Sequence, residues 1–159
     1  MPAITPAYVK NIIRRCFSEI VDPSPTKREV DAIWQHFDNC CAYCGKSLQR
    51  KVKEGHIDHL VSASRGGMNA LGNRVLSCSS CNEMEKLDKP WEDFLKSKAR
   101  SDADFMKRYK RIKDWQAANP LPEGAAIQED LVFARTQATN VIATFEEAVR
   151  KTIKKRPSG

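Results

Sequence analysis

Two short cysteine repeats constrain this 159-residue chain more than any other feature: Cys41-Ala-Tyr-Cys44-Gly45 and Cys78-Ser-Ser-Cys81-Asn82. Each sets two thiols at the bite that a tetrahedral ion takes, so together they offer four thiolates to one structural Zn²⁺. The 33 residues between Cys44 and Cys78 are more than a plain zinc ribbon holds, which makes the ion a staple across a substantial insert. A disulfide inside either repeat would close a tight, strained loop. The opening Met-Pro-Ala-Ile-Thr-Pro does not read as a secretory signal to an oxidising compartment. Cys40 is an alternative first ligand, but Cys41 gives the standard two-residue gap. Cys16 falls on a helical apolar face and reads as core.

The insert has no cysteine and carries the chain's densest reactive cluster, His56-Ile-Asp58-His59, followed by Arg65-Gly66-Gly67 and Asn73. Hydrolysis of a phosphodiester needs an activated water, a positive centre on the phosphate, and stabilisation of the leaving oxygen. An ordinary histidine, with pKa about 6.5, can take a proton from water near neutrality, which makes His59 the candidate general base. Asp58 and the Asn82 carbonyl are hard oxygen donors suited to Mg²⁺ or Mn²⁺. With one clear carboxylate in the cluster, a one-metal site fits better than two. Adjacent strand residues point to opposite faces, so a shared role for Asp58 and His59 requires the strand to end or bend there. His56 shares a face with Asp58, either as a further ligand or as a packed strand histidine.

The order and spacing of these blocks resemble the HNH (ββα-metal) endonucleases, in their zinc-stabilised branch with four cysteines. The matching blocks are Cys41-x-x-Cys44-Gly45, Asp58-His59-Leu60-Val61, Gly66-Gly67, and Asn73-Arg-Val-Leu-Ser-Cys78-x-x-Cys81-Asn82. Two positions depart from the pattern: Ser62 replaces the usual proline, and Glu85 stands where lysine is common, with Lys86 one place later. The resemblance implies strand, loop, strand and short helix (Asn82 to Leu87), with the catalytic ion between the first strand and the helix. It implies that Asn73 pins the loop by side-chain to backbone hydrogen bonds, and that cleavage leaves 5′-phosphate and 3′-hydroxyl ends. Arg65, Arg74 and Lys86 are the expected phosphate contacts.

Outside this insert the chain reads as helix. Thr5-Pro6 starts a first helix with Val9, Ile12, Ile13, Cys16, Phe17 and Ile20 at helical spacing. Asp22-Pro-Ser-Pro25 breaks it, and Thr26-x-x-Glu29 is a capping box for a second helix carrying Val30, Ile33, Trp34 and Phe37. These two helices are expected to build a core behind the zinc. Pro90 stops the short helix and opens another with Trp91, Phe94 and Leu95. Ala103 to Ala118 interleaves the aromatic stripe Phe105, Met106, Tyr109, Ile112 and Trp115, read as core, with the cations Lys107, Arg108, Lys110, Arg111 and Lys113. Asn119 to Gly124 is a hinge. A last helix from about Ala125 to Lys155 repeats Ile127, Leu131, Ala134, Ala138, Val141, Phe145 and Ala148 in heptad-like steps. That helix packs on the chain's own helices or, alternatively, forms a homodimer; Lys151 to Arg156 is a basic tail.

The expected fold is therefore α+β and mostly helical: a helical pair (1–39), a zinc-stapled ββα-metal core (40–99), and a helical extension (100–159). The net charge of +7 suits a polyanionic partner without separating DNA from RNA or a membrane surface; the resemblance implies DNA, expected to be double-stranded. No apolar run approaches a membrane span, and a cytoplasmic setting of bacterial or phage type is expected. The function expected is metal-dependent cleavage of DNA; the alternative is a zinc-stapled DNA-binding module with an idle centre.

Overall fold

The first elements follow from their caps. Thr5 Oγ1 accepts from the Tyr8 amide at 3.1 Å, and Pro6 opens α1 (Pro6–Val21). Thr26 and Glu29 close a reciprocal capping box, with the Thr26 amide on the Glu29 carboxylate at 2.7 Å, and start α2 (Lys27–His36). The computed structural model describes residues 4–122 and 125–154. The hinge residues Glu123 and Gly124, the Ile127 side chain, and the end of the basic tail lie outside the described residues. Among those described, no helix is long and apolar enough to cross a membrane.

The chain folds as two compact units, residues 24–122 and the two ends, 1–23 with 123–159. In the larger unit, β1 (Gly55–His59) pairs antiparallel with β2 (Arg74–Cys78), His59 opposite Arg74 and Gly55 opposite Cys78. β2 runs straight into a π-helical segment, Ser80–Lys86, followed by α3 (Trp91–Lys98) and α4 (Asp102–Ala118). The sheet is covered by Ile33, Trp34 and Phe37 of α2, by Phe94 and Leu95 of α3, and by Ile112 and Trp115 of α4, all buried. Each such side chain contributes roughly 1.5–3 kcal/mol by leaving water. Trp115 Nε1 donates to the Leu71 carbonyl at 3.0 Å, tying α4 to the loop before β2.

The smaller unit is α1 packed on α5 (Ala125–Lys154). α1 half-buries Val9, Ile13, Phe17 and Val21, and α5 buries Leu131, Ala134, Ala138 and Ile142. Lys10 Nζ meets Glu146 Oε1 at 2.7 Å.

Several expectations change. The first helix leaves the zinc core to α2 and contributes no buried residue. Cys16, expected in a core, is exposed. On α5, Val141 and Ala148 face solvent and Ile142 is buried instead, because a straight helix drifts off a strict seven-residue repeat. Met106 is exposed while its neighbours Ile112 and Trp115 are buried. The short helix is not α-helical and starts two residues early, at Ser80.

Candidate active site

The four predicted cysteines converge. The first knuckle is a closed turn: the Cys41 amide donates to Lys46 O at 2.8 Å and the Gly45 amide to Cys41 O at 2.9 Å. The Ala42 amide donates to Leu76 O at 2.8 Å, fastening that turn to β2, the strand that ends at Cys78. All four Sγ atoms lie within 4.8 Å of one another. Cys41, Cys78 and Cys81 are buried, Cys44 is half-buried, and Cys40 stays outside the cluster. Such crowding sets the acidities apart. Hydrogen bonds from Cys44 and Cys81 hold the Cys41 thiol far below its usual range. Giving that bond to Cys41 pushes Cys44 up to about 11, and Cys81 rises for the same reason. Four thiolates in so small a volume need a dication to neutralise them, and thiolate softness with tetrahedral closure fits Zn²⁺. The cysteines are positioned to bind a metal.

From the stapled end of β2 the sheet carries the second centre. β1 ends at His59, which stays in register opposite Arg74. Asp58 is buried, and Lys86 is 1% exposed with its Nζ at 3.5 Å from Asp58 Oδ2 and donating to His59 O at 2.6 Å. Lys86 is thus an internal cation. The π-helix explains its position. Its hydrogen bonds span one residue more than those of an α-helix, and such segments usually sit at functional sites. The extra residue before Lys86 is absorbed in that wider turn, which carries Lys86 inward beside Asp58. The expected phosphate contact at Lys86 gives way to this placement. Burial pushes the Asp58 carboxyl above its ordinary range, and Lys86 pulls it back. Neither Asp58 Oδ2 nor the buried Tyr43 hydroxyl completes a hydrogen bond, although the carboxylate lies close enough to raise the phenol further after burial has done so. A buried carboxylate oxygen that meets Lys86 at 3.5 Å without a completed hydrogen bond is a hard donor of the kind a divalent cation takes.

His59 is held at both ring nitrogens. Arg74, its cross-strand partner, places Nη1 at 2.8 Å from Nδ1, and Asn69 Oδ1 lies at 3.0 Å from Nε2. Arg74 Nη2 also donates to Asn69 Oδ1, at 2.5 Å. A guanidinium only donates, so Nδ1 is the acceptor and Nε2 carries the proton given to Asn69. Burial, then the Arg74 charge, lowers the His59 pKa to about 4. His59 is therefore neutral at pH 7, but a weaker base than an ordinary imidazole.

The loop between the strands is pinned by Asn73, which is 3% exposed. Its Oδ1 accepts from the Val61 amide at 2.8 Å, and its Nδ2 donates to Val61 O and Met68 O at 2.9 and 2.8 Å. Gly66 takes φ +83°, and a Cβ on Gly67 would stand 1.7 Å from Val61 O, so the turn back requires both glycines. Arg65 is exposed and donates to Asp88 O at 3.0 Å. His56 lies 3.5 Å from Glu83 rather than on Asp58. Asn82 is half-buried on the π-helix. On α4, Arg108 donates to Tyr43 O at 2.5 Å and Arg111 meets Asp38 at 2.5 Å; the exposed Lys107 and Lys113 remain on the surface. Asn69 and Tyr43 were not singled out from the sequence. Asn69 belongs to no spaced motif, and Tyr43 is legible only once the knuckle is folded against Asp58.

Residues 41–86 match the family model for the HNH endonuclease, a span that takes in both knuckles, both strands and the π-helix. No curated protein and no solved structure matches the chain. The matched segment is less than a third of the chain, and it contains the four cysteines positioned to bind a metal.

Proposed function

We propose that the chain is a metal-dependent endonuclease that hydrolyses DNA phosphodiesters, with His59 as general base and one divalent ion held by Asp58 and Asn82. The observation that carries this reading is the joint placement of a neutral histidine and a buried carboxylate, the latter beside Lys86, at the end of β1, inside the segment matching the HNH endonuclease model. When bound, Mg²⁺ or Mn²⁺ supplies the positive centre that draws electron density from the phosphate and steadies the leaving oxygen. The chain's own groups do the rest. His59 accepts the proton of the attacking water, and Asn69 fixes its tautomer at Nε2. Asn73 holds the loop so that the His59 main chain stays in register. Arg65 and the exposed lysines of α4 offer charge for neighbouring phosphates.

A second reading, a zinc-stapled DNA-binding module with an idle centre, draws on one observation: Arg74 and Lys86 occupy His59 Nδ1 and neutralise Asp58. Supercoiled-plasmid cleavage separates the two. With Mg²⁺ or Mn²⁺ the wild type should nick or linearise DNA. His59→Ala should lose about 10²–10⁴-fold of that rate while keeping its fold and DNA affinity. No cleavage by zinc-loaded protein over varied DNA would leave the binding module.

A further inference from the structure

The lone pair by which His59 would take a proton is closed. Neutral imidazole has one acceptor nitrogen, and here that nitrogen, Nδ1, receives Arg74 Nη1 at 2.8 Å while Nε2–H is spent on Asn69 at 3.0 Å. A water cannot pass its proton to Nδ1 while the guanidinium donates to it. Arg74 is 8% exposed, so solvent does not compete strongly for it. Building on the nuclease reading above, we propose that Arg74 is a substrate-released cap: it closes His59 Nδ1 in the free protein and transfers to the scissile phosphodiester when nucleic acid binds.

The direction of transfer follows from hydrogen-bond chemistry. A guanidinium–phosphate contact is charge-assisted on both sides and forks across two oxygens, whereas the bond to neutral imidazole is charged on one side only and single. Arg74 sits directly across the sheet from His59, and transfer to a phosphate would also give up its long contact to Ile57 O at 3.5 Å. Its second nitrogen lies on Asn69 Oδ1 at 2.5 Å, and departure leaves that oxygen wholly to Nε2–H. The imidazole thus keeps its tautomer as its base nitrogen opens. The arrangement ties proton acceptance to the presence of a phosphodiester.

The test reads the His59 ring nitrogens directly, by long-range proton–nitrogen NMR on the full, zinc-loaded chain without added divalent ion, so that nothing is cleaved. The free wild type should show Nδ1 as a hydrogen-bonded acceptor, and free Arg74→Gln should move that resonance toward an unbonded imidazole nitrogen. A short phosphodiester duplex at saturating concentration, checked by fluorescence anisotropy, should move the wild-type resonance toward the Arg74→Gln position. A duplex with neutral methylphosphonate linkages should not. Identical Nδ1 resonances in the two free proteins would show that there is no cap. A wild-type resonance unmoved by saturating phosphodiester would show that the cap is permanent. Plasmid cleavage, scored separately, keeps the two readings apart. Cleavage with an unmoved resonance overturns the cap alone, and a moved resonance without cleavage overturns the nuclease alone.

Discussion

The zinc centre and the candidate active centre share one strand, yet they are built on opposite principles. In the zinc centre four thiols converge, their Sγ atoms within 4.8 Å, an arrangement suited to an external dication, with Lys98 the nearby cation that senses Cys81 and Cys44. In the active centre the chain brings its own cations, Lys86 to Asp58 at 3.5 Å and Arg74 to His59 at 2.8 Å. The first is a site whose thiols are positioned for a metal from outside the chain; the second is held together by the chain's own charges. Stability is thereby concentrated at one end of β2, and adjustable contacts at the other.

Three measurements would break or sharpen that contrast. The largest effect is expected at the staple. Structural zinc in small domains contributes about 10–16 kcal/mol, so Cys78→Ser should release the ion and unfold the core. Circular dichroism with zinc quantification checks this, and a folded, metal-free variant would contradict the staple. Next comes the internal ion pair. Removing one partner of a buried pair costs about 3–5 kcal/mol, so Lys86→Met should lower stability by that order in a denaturant titration. Asp58→Asn added to Lys86→Met should restore part of it, since the uncompensated charge is then gone. Full additivity of the two changes would mean that the pair does not interact.

The smallest effect is the pH dependence of His59. Its folded pKa, about 4, lies below the ordinary 6.5, so the fold prefers the neutral ring. Its contribution is complete above pH 6.5 and is lost as pH falls from there through 4. The effect is read as a fall in unfolding free energy across that pH window. The difference in unfolding free energy between wild type and His59→Gln isolates this from zinc loss, which both proteins share; a difference constant from pH 7 to 4 would reject the shift. The acid limb of kcat/KM should likewise fall near pH 4 rather than 6.5, because that profile reports the free enzyme.

Much of this was legible because it is local. The Thr26–Glu29 capping box, the stop at Pro90, both knuckles, and the strand–loop–strand order depend on residues within a few positions of one another. The Asn73 clamp on Val61 and Met68 is different: it reaches back twelve residues to Val61 and was expected from the family resemblance. Cys16 was misleading because α1 has apolar residues on more than one face, and periodicity alone does not say which face is covered. Lys86 was expected at a phosphate, and its burial beside Asp58 on the π-helix was not legible from its position one place after Glu85.

By itself, then, the sequence determined the ligands of the staple, the helical caps and breaks, and the identity of the Asp58–His59 pair, because thiol spacing, capping and proline are properties of neighbouring residues. The tertiary structure alone decided that α2 rather than α1 backs the zinc core, that Asn69 and Arg74 share the ring of His59, and that Lys86 neutralises Asp58. Those outcomes depend on which surfaces lose water together and on charges brought side by side across a sheet, and no spacing along the chain encodes them.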